Sequence, residues 1–189
     1  MKEVMMSIQP QWCRLIGDGL KTIEIRKSRP KKSTPFKVFI YCTCGRKRQL
    51  HISNSYSTTK SPYEQFWVGK PINDICKGRY LGNGKVIGEF VCDRIDHLVN
   101  SGISKKELRF CLYNGDGTYS QLTNAYFSKC RLNIEQIKNY SKGKDVYAWH
   151  ITDLVIYDKP KELSEFIKYG FDDAVKLSRP PQSWCYVVD

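Results

Sequence analysis

The chain has 189 residues, 41% of them hydrophobic, and a formal net charge of +12 from 31 Lys and Arg against 19 Asp and Glu. That length supports one sizeable core and is short for two, and no apolar run approaches the roughly 20 residues of a membrane span. A single soluble domain over residues 1–189 is therefore expected, with no membrane partner. The N-terminal residues Met1 to Ile8 contain neither a long apolar stretch nor a small-residue cleavage site, which points to the cytoplasm. The eight cysteines accordingly read as reduced thiols rather than a disulfide framework. Cys42 and Cys44, with His51 nearby, lack the Cys-x-x-Cys spacing and the second ligand pair of a zinc site, so neither metal nor cofactor is expected.

The basic excess is uneven. Residues 1–50 hold twelve Lys or Arg against three Asp or Glu, a net +9, while the other 139 hold nineteen against sixteen, a net +3. Two clusters dominate, Arg26-Lys27-Ser28-Arg29-Pro30-Lys31-Lys32 and Arg46-Lys47-Arg48. Such a surface favours nucleic acid as a partner, although an isolated basic run is often only a solvated loop.

In chain order, Val4 to Ile8 reads as a strand, and Pro10 opens a short helix with Trp12, Leu15 and Ile16 on one side, closed by Gly17 and Gly19. Thr22 to Arg26 is a second strand, broken by Arg29-Pro30, and Phe36 to Cys42 is an aromatic, β-branched third. Residues 45–84 carry no strong period and are expected to form a long insert with at most a short helix or hairpin. The turn Gly82-Asn83-Gly84 launches a strand from Lys85 to Ile95, on which Ile87, Glu89 and Val91 share a face. Ser104 with Glu107, and Asn133 with Gln136, are capping boxes that open two helices, the second over Ile134 to Tyr140. Tyr113 to Gly117 is a turn or loop between them. Val146 to Tyr157 reads as one long strand with Tyr147, Trp149 and Ile151 on one face, and Ser183 to Val188 as the last. Five or six strands with short helices and two inserts, about 45–84 and 100–142, make an α+β domain on a small mixed barrel.

Within the second strand, Leu20, Ile23 and Ile25 can supply an apolar face, which leaves Thr22, Glu24 and Arg26 together on the other with Lys21 one step away. An ammonium, a carboxylate and a guanidinium side by side either form an internal ion-pair net or grip a polar ligand that offers both donors and acceptors.

The spacing Gly-x-Lys-x-x-Glu-x-Arg, realised as Gly19, Lys21, Glu24 and Arg26 after a strand and a helix, resembles an ASCH domain of the PUA-like superfamily. Phe39-Ile40-Tyr41, Gly88-Glu89-Phe90 and Tyr147-Ala148-Trp149-His150-Ile151 extend the resemblance over the framework strands and leave the inserts unexplained. The resemblance implies a PUA-like β-barrel flanked by helices, a cleft beside the motif, and a role in binding RNA or modified nucleosides. One resembling branch hydrolyses an acylated cytidine with the motif lysine, a threonine where this chain has Glu24, and a later glutamate. Another cleaves RNA.

For a binding module, Lys21 and Arg26 would contact phosphate or a base edge and Glu24 would accept from an exocyclic amine. Arg29, Lys31 and Lys32 would follow the backbone, and Tyr147, Trp149 or Trp184 would stack on a base. The bland alternative places Tyr147 and Trp149 in the core. For a hydrolase, Lys21, Glu24 and Glu89 would form the catalytic set, but a neighbouring carboxylate favours the charged ammonium, which is the poorer nucleophile. His150 alone supports no catalytic order. A third possibility is a protein partner held by the inserts, since loops beyond about 12–15 residues are usually functional or disordered.

Overall fold

A computed structural model describes residues 2–44, 49–53, 66–69, 79–102, 109–170 and 175–188. The basic triplet at 46–48 and the capping box at 104–107 lie outside the described residues. The architecture is mixed α+β, with sheets of six, five and three strands and few helices. The described residues thus form fourteen strands where the sequence led us to expect five or six.

Two compact units interleave along the chain: Met1–Gly19, Phe36–Val91 and Asp153–Asp189 make the first, and Leu20–Pro35 with Cys92–Thr152 the second. In the first unit, β1 (Lys2–Ile8) pairs in parallel with β3 (Phe36–Cys42) and antiparallel with β14 (Trp184–Val188). The sheet continues outward from β3 through β7 (Lys85–Cys92) to β12 (Thr152–Glu162), and from β14 to β13 (Ile167–Lys168). Its core gathers Met5, Phe39, Tyr41, Val86, Phe166, Leu177 and Val187. A side chain at Gly88 would meet the Val155 carbonyl at 2.3 Å, so β7 and β12 approach closely only because that position has none. Helix α1 (Pro10–Gly17) begins with proline at its first turn, buries Pro10, Cys13 and Ile16, and lies against β4 (Gln49–Ser53) and β5 (Phe66–Gly69). With β6 (Arg79–Leu81), these two strands form the three-stranded sheet of the first insert. A region without a hydrophobic period therefore carries three strands, their pairing set by partners distant in sequence.

The second unit is the five-stranded sheet β10 (Tyr119–Gln121), β9 (Phe110–Tyr113), β8 (Ile95–Asn100), β11 (Val146–His150) and β2 (Ile23–Arg26), in that order. Helices α2 (Asn124–Cys130) and α3 (Ile134–Ser141) supply Cys130 and Ile137 to its apolar face, where Ile23, Ile25, Leu98, Phe110, Val146 and Ala148 are buried. The Asn133–Gln136 capping box opens α3 as expected, with both reciprocal hydrogen bonds at 2.9 Å.

Two strands read as continuous are broken. The run Lys85 to Ile95 ends as β7 at Cys92 and restarts as β8 at Ile95 in the other sheet. Val146 to Tyr157 divides into β11 and β12, with Asp153 at φ 46° beside the break. Asp tolerates this left-handed backbone better than most residues, and alternation alone does not reveal it.

Candidate functional site

Strand β2 forms one edge of the five-stranded sheet, and its antiparallel register with β11 sets Arg26 opposite Tyr147 and Glu24 opposite Trp149. Cross-strand partners share a face, so motif and aromatics stand on one side while Ile23 and Ile25 face the apolar core on the other. The turn before β2 is fixed at both groups of Thr22: its N–H donates to the Lys129 carbonyl and its carbonyl accepts from Ile151 N–H, each at 3.0 Å. That clamp directs Lys21 inward, where its ammonium donates to the Cys130 carbonyl at 2.5 Å, at the C-terminal end of α2. A cation suits that end of a helix.

Lys21, Glu24 and Arg26 do converge, but as a buried cluster rather than at the mouth of an open cleft: they are 1%, 7% and 8% exposed. Glu24 bridges the cations, with Oε2 at 3.3 Å from Lys21 Nζ and Oε1 at 3.3 Å from Arg26 Nη2. Both separations exceed the roughly 2.7–2.9 Å of a good charge-assisted hydrogen bond. Buried Oε2 accepts no hydrogen bond among the described residues. Two cations and one anion leave the cluster at +1, which favours a ligand with an electron-rich atom and a donor for the carboxylate. Tyr140 of α3 adds a hydroxyl to which the Arg26 guanidinium hydrogen-bonds; burial pushes that hydroxyl upward in pKa, with Arg26 opposing and Glu24 reinforcing the shift.

Beyond the cluster, Arg29 is exposed with its guanidinium carbon 5.9 Å from the Tyr147 ring centre, Lys31 is exposed and Lys32 half-buried. Lys27, also exposed, sits 4.9 Å from the ring centre of Tyr140. Trp149 has no exposed surface and forms a wall beside Glu24 rather than a free stacking face, whereas Tyr147 is half-buried. Glu89 and Trp184 belong to the first unit. Glu89 accepts from the Tyr157 hydroxyl and lies 3.3 Å from Lys37 Nζ, and Trp184 packs edge-on to Tyr186 at 5.4 Å.

Sequence reasoning missed a second buried carboxylate. Asp96 of β8 pairs with Ala148 and so faces the helices, where its Oδ2 accepts from the Tyr126 hydroxyl at 2.9 Å and from His150 Nε2 at 2.7 Å. Its Oδ1 lies 3.0 Å from Arg94 Nε. Burial alone would raise the Asp96 carboxyl, but His150, Tyr126 and Arg94 together more than offset that and hold it below the ordinary carboxylate range. His150, considered as an acid or base, is thus a partner in a structural net. The nearby thiols are poor nucleophiles at neutral pH, since burial pushes Cys92 and Cys130 each up to about 12. The capping threonine of α2, Thr123, was the one sequence signal that could have placed Tyr126 on a helix here.

No protein-family model matches the chain, and no curated protein does. Among solved structures, the chain is similar to the ASCH protein of Zymomonas mobilis, with a TM-score of 0.52 and 18% identity over 97% of this chain and 86% of that one. A serine-to-alanine mutant of that protein aligns with TM-score 0.52 at 18% identity over 97% and 87%. A tyrosine-to-phenylalanine mutant aligns with TM-score 0.50 at 17% over 98% and 90%. The chain therefore has the fold of the ASCH-domain proteins, the family that its Gly19 to Arg26 motif resembles.

Proposed function

We propose that this protein is a nucleic-acid-binding ASCH module with a PUA-like barrel framework, whose ligand is RNA or a modified nucleoside gripped by Lys21, Glu24 and Arg26. One observation carries the proposal: Glu24 is buried between two cations, each 3.3 Å away, and one of its oxygens lacks any hydrogen bond among the described residues. A buried carboxylate so poorly served is costly to maintain unless something completes it. Glu24 Oε2 is shielded in the closed cluster, so binding requires the cluster to open; an exocyclic amine or ring N–H of a base would then donate to Glu24, while the Arg26 guanidinium would take a phosphate or carbonyl oxygen. The exposed Lys27, Arg29 and Lys31 continue the cationic surface, where phosphates would be held without regard to sequence.

Anisotropy titrations with short single-stranded RNAs test this reading. Arg26→Ala and Glu24→Gln should each weaken binding by roughly ten-fold or more, the size expected for a hydrogen bond to a charged group. Both variants should melt cooperatively, which separates lost binding from lost fold. Affinity unchanged in both would remove the proposal.

A further inference from the structure

The register of the second unit places one residue from each strand in a single transverse line. Arg26 pairs with Tyr147, Tyr147 with His97, His97 with Tyr113, and Tyr113 with Tyr119. One cation and four rings thus cross all five strands on one face, over four gaps of about 4.8 Å, roughly 19 Å in all. The line starts at the motif and runs away from it.

Cross-strand aromatic pairs often do no more than brace a sheet. The inner pair has that character: the Tyr147 and His97 rings stack 4.9 Å apart at 15°. Asp145 Oδ2 accepts from His97 Nε2 at 2.8 Å and fixes the ring. The outer half differs. Tyr113 turns 76° from His97 at 6.1 Å, and Tyr119 turns 48° from Tyr113 at 5.5 Å, so neither lies flat against its neighbour. Exposure rises in the same direction, to 57% at Tyr119 on a strand whose three residues are all exposed. A single exposed ring is ordinary on its own; here it ends a continuous line of rings on one face.

The hairpin carrying it is held firmly. Asp116 Oδ1 accepts from the Thr118 N–H at 2.8 Å and from its hydroxyl at 2.6 Å, and Asn114 donates to Thr118 and Ser120. Gly115 and Gly117 take φ of 88° and 91°, which only glycine adopts without strain. Tyr119 is therefore presented in a fixed place, at little ordering cost to a ligand.

Charge decides between occupants. The second unit contains fifteen Lys or Arg against seven Asp or Glu, a net +8 of the chain's +12. A hydrophobic protein partner would gain little from that field, whereas a polyanion with planar, apolar faces suits both the rings and the cations.

We propose that Tyr113 and Tyr119, continuing a line braced by the stacked Tyr147–His97 pair, form a stacking track on which one or two unpaired bases of a single-stranded nucleic acid lie as the strand leaves the Lys21–Glu24–Arg26 cluster. This rests on the nucleic-acid reading of that cluster and extends it along the sheet. The cluster fixes one nucleotide; the track senses how long the adjoining strand is and whether its bases are unpaired.

The test measures affinity for a mononucleotide, a single-stranded tetranucleotide, an abasic backbone of the same length and a short duplex. Affinity should climb from mononucleotide to tetranucleotide and fall for the abasic strand and the duplex. Tyr119→Ala and Tyr113→Leu should each weaken the tetranucleotide by roughly ten-fold, leave the mononucleotide unchanged, and leave the salt dependence as in the wild type, because stacking releases no counterions. Tyr119 is exposed enough that its replacement leaves the fold intact. Equal affinity for abasic and ordinary strands, or full affinity in both variants while Arg26→Ala weakens binding, overturns the track and leaves the cluster standing. Loss in the tyrosine variants with none in Arg26→Ala supports the track and overturns the cluster. No binding of any oligonucleotide by the wild type overturns both.

Discussion

Glu24 and Asp96 are buried carboxylates of the same sheet, on opposite faces, and they are provided for very differently. Asp96 has a phenol, an imidazole and a guanidinium at 2.7–3.0 Å. Glu24 has two cations at 3.3 Å and, among the described residues, an oxygen with no hydrogen bond. A carboxylate saturated by its own fold has nothing left to offer a ligand and serves to lock β8, β11 and α2 together. One held loosely between charges has acceptor capacity to spare, and that difference separates Asp96 from Glu24 better than burial does, since the two are 9% and 7% exposed.

The contrast can be broken most severely at Glu24. Glu24→Ala leaves two buried cations without their anion and should destabilise the fold by about 3–5 kcal/mol, read from the urea midpoint. A change below about 1 kcal/mol would mean that Lys21 and Arg26 need no internal counter-charge. Asp96→Asn is expected to lose less, about 1–3 kcal/mol near neutrality. Because the folded Asp96 carboxyl titrates below its ordinary value, its contribution is full above the unfolded value near 4 and disappears as pH falls through the lower folded value. Melting temperatures of wild type and Asp96→Asn should therefore converge as pH drops below about 4, and a gap constant down to pH 2 would contradict that role. Tyr126→Phe, which removes a single donor from Asp96, should lower stability by about 1 kcal/mol and leave RNA affinity untouched.

The framework was legible where local chemistry decides structure. Proline at the start of α1, the aromatic and β-branched composition of β3, and the Asn133 cap of α3 each act over a few residues, and each element stands where they place it. The meeting of Lys21, Glu24 and Arg26 was legible too, because one strand and one turn hold all three. Their burial was not, since it depends on the end of α2 more than a hundred residues onward, where the Cys130 carbonyl receives the ammonium. Register between separate strands likewise hid the three strands of the first insert and the line from Tyr147 to Tyr119, whose Tyr147–His97 step joins segments far apart in the chain. Broken strands escaped because alternation continues unchanged through a corner such as Asp153.

The pairing of β2 with β11 joins Arg26 to Tyr147 across 121 positions of the chain. During synthesis the Gly19 to Arg26 segment leaves the ribosome well before its partner strand, which emerges only after a further roughly 6–25 seconds at about 5–20 residues per second. Until then its lysine, glutamate and arginine have no wall to assemble against, and closing so long a loop makes this pairing a slow event. Nascent chains that stall before residue 146 carry the motif without its geometry, so the assembled Lys21–Glu24–Arg26 cluster and completion of the second unit arrive together.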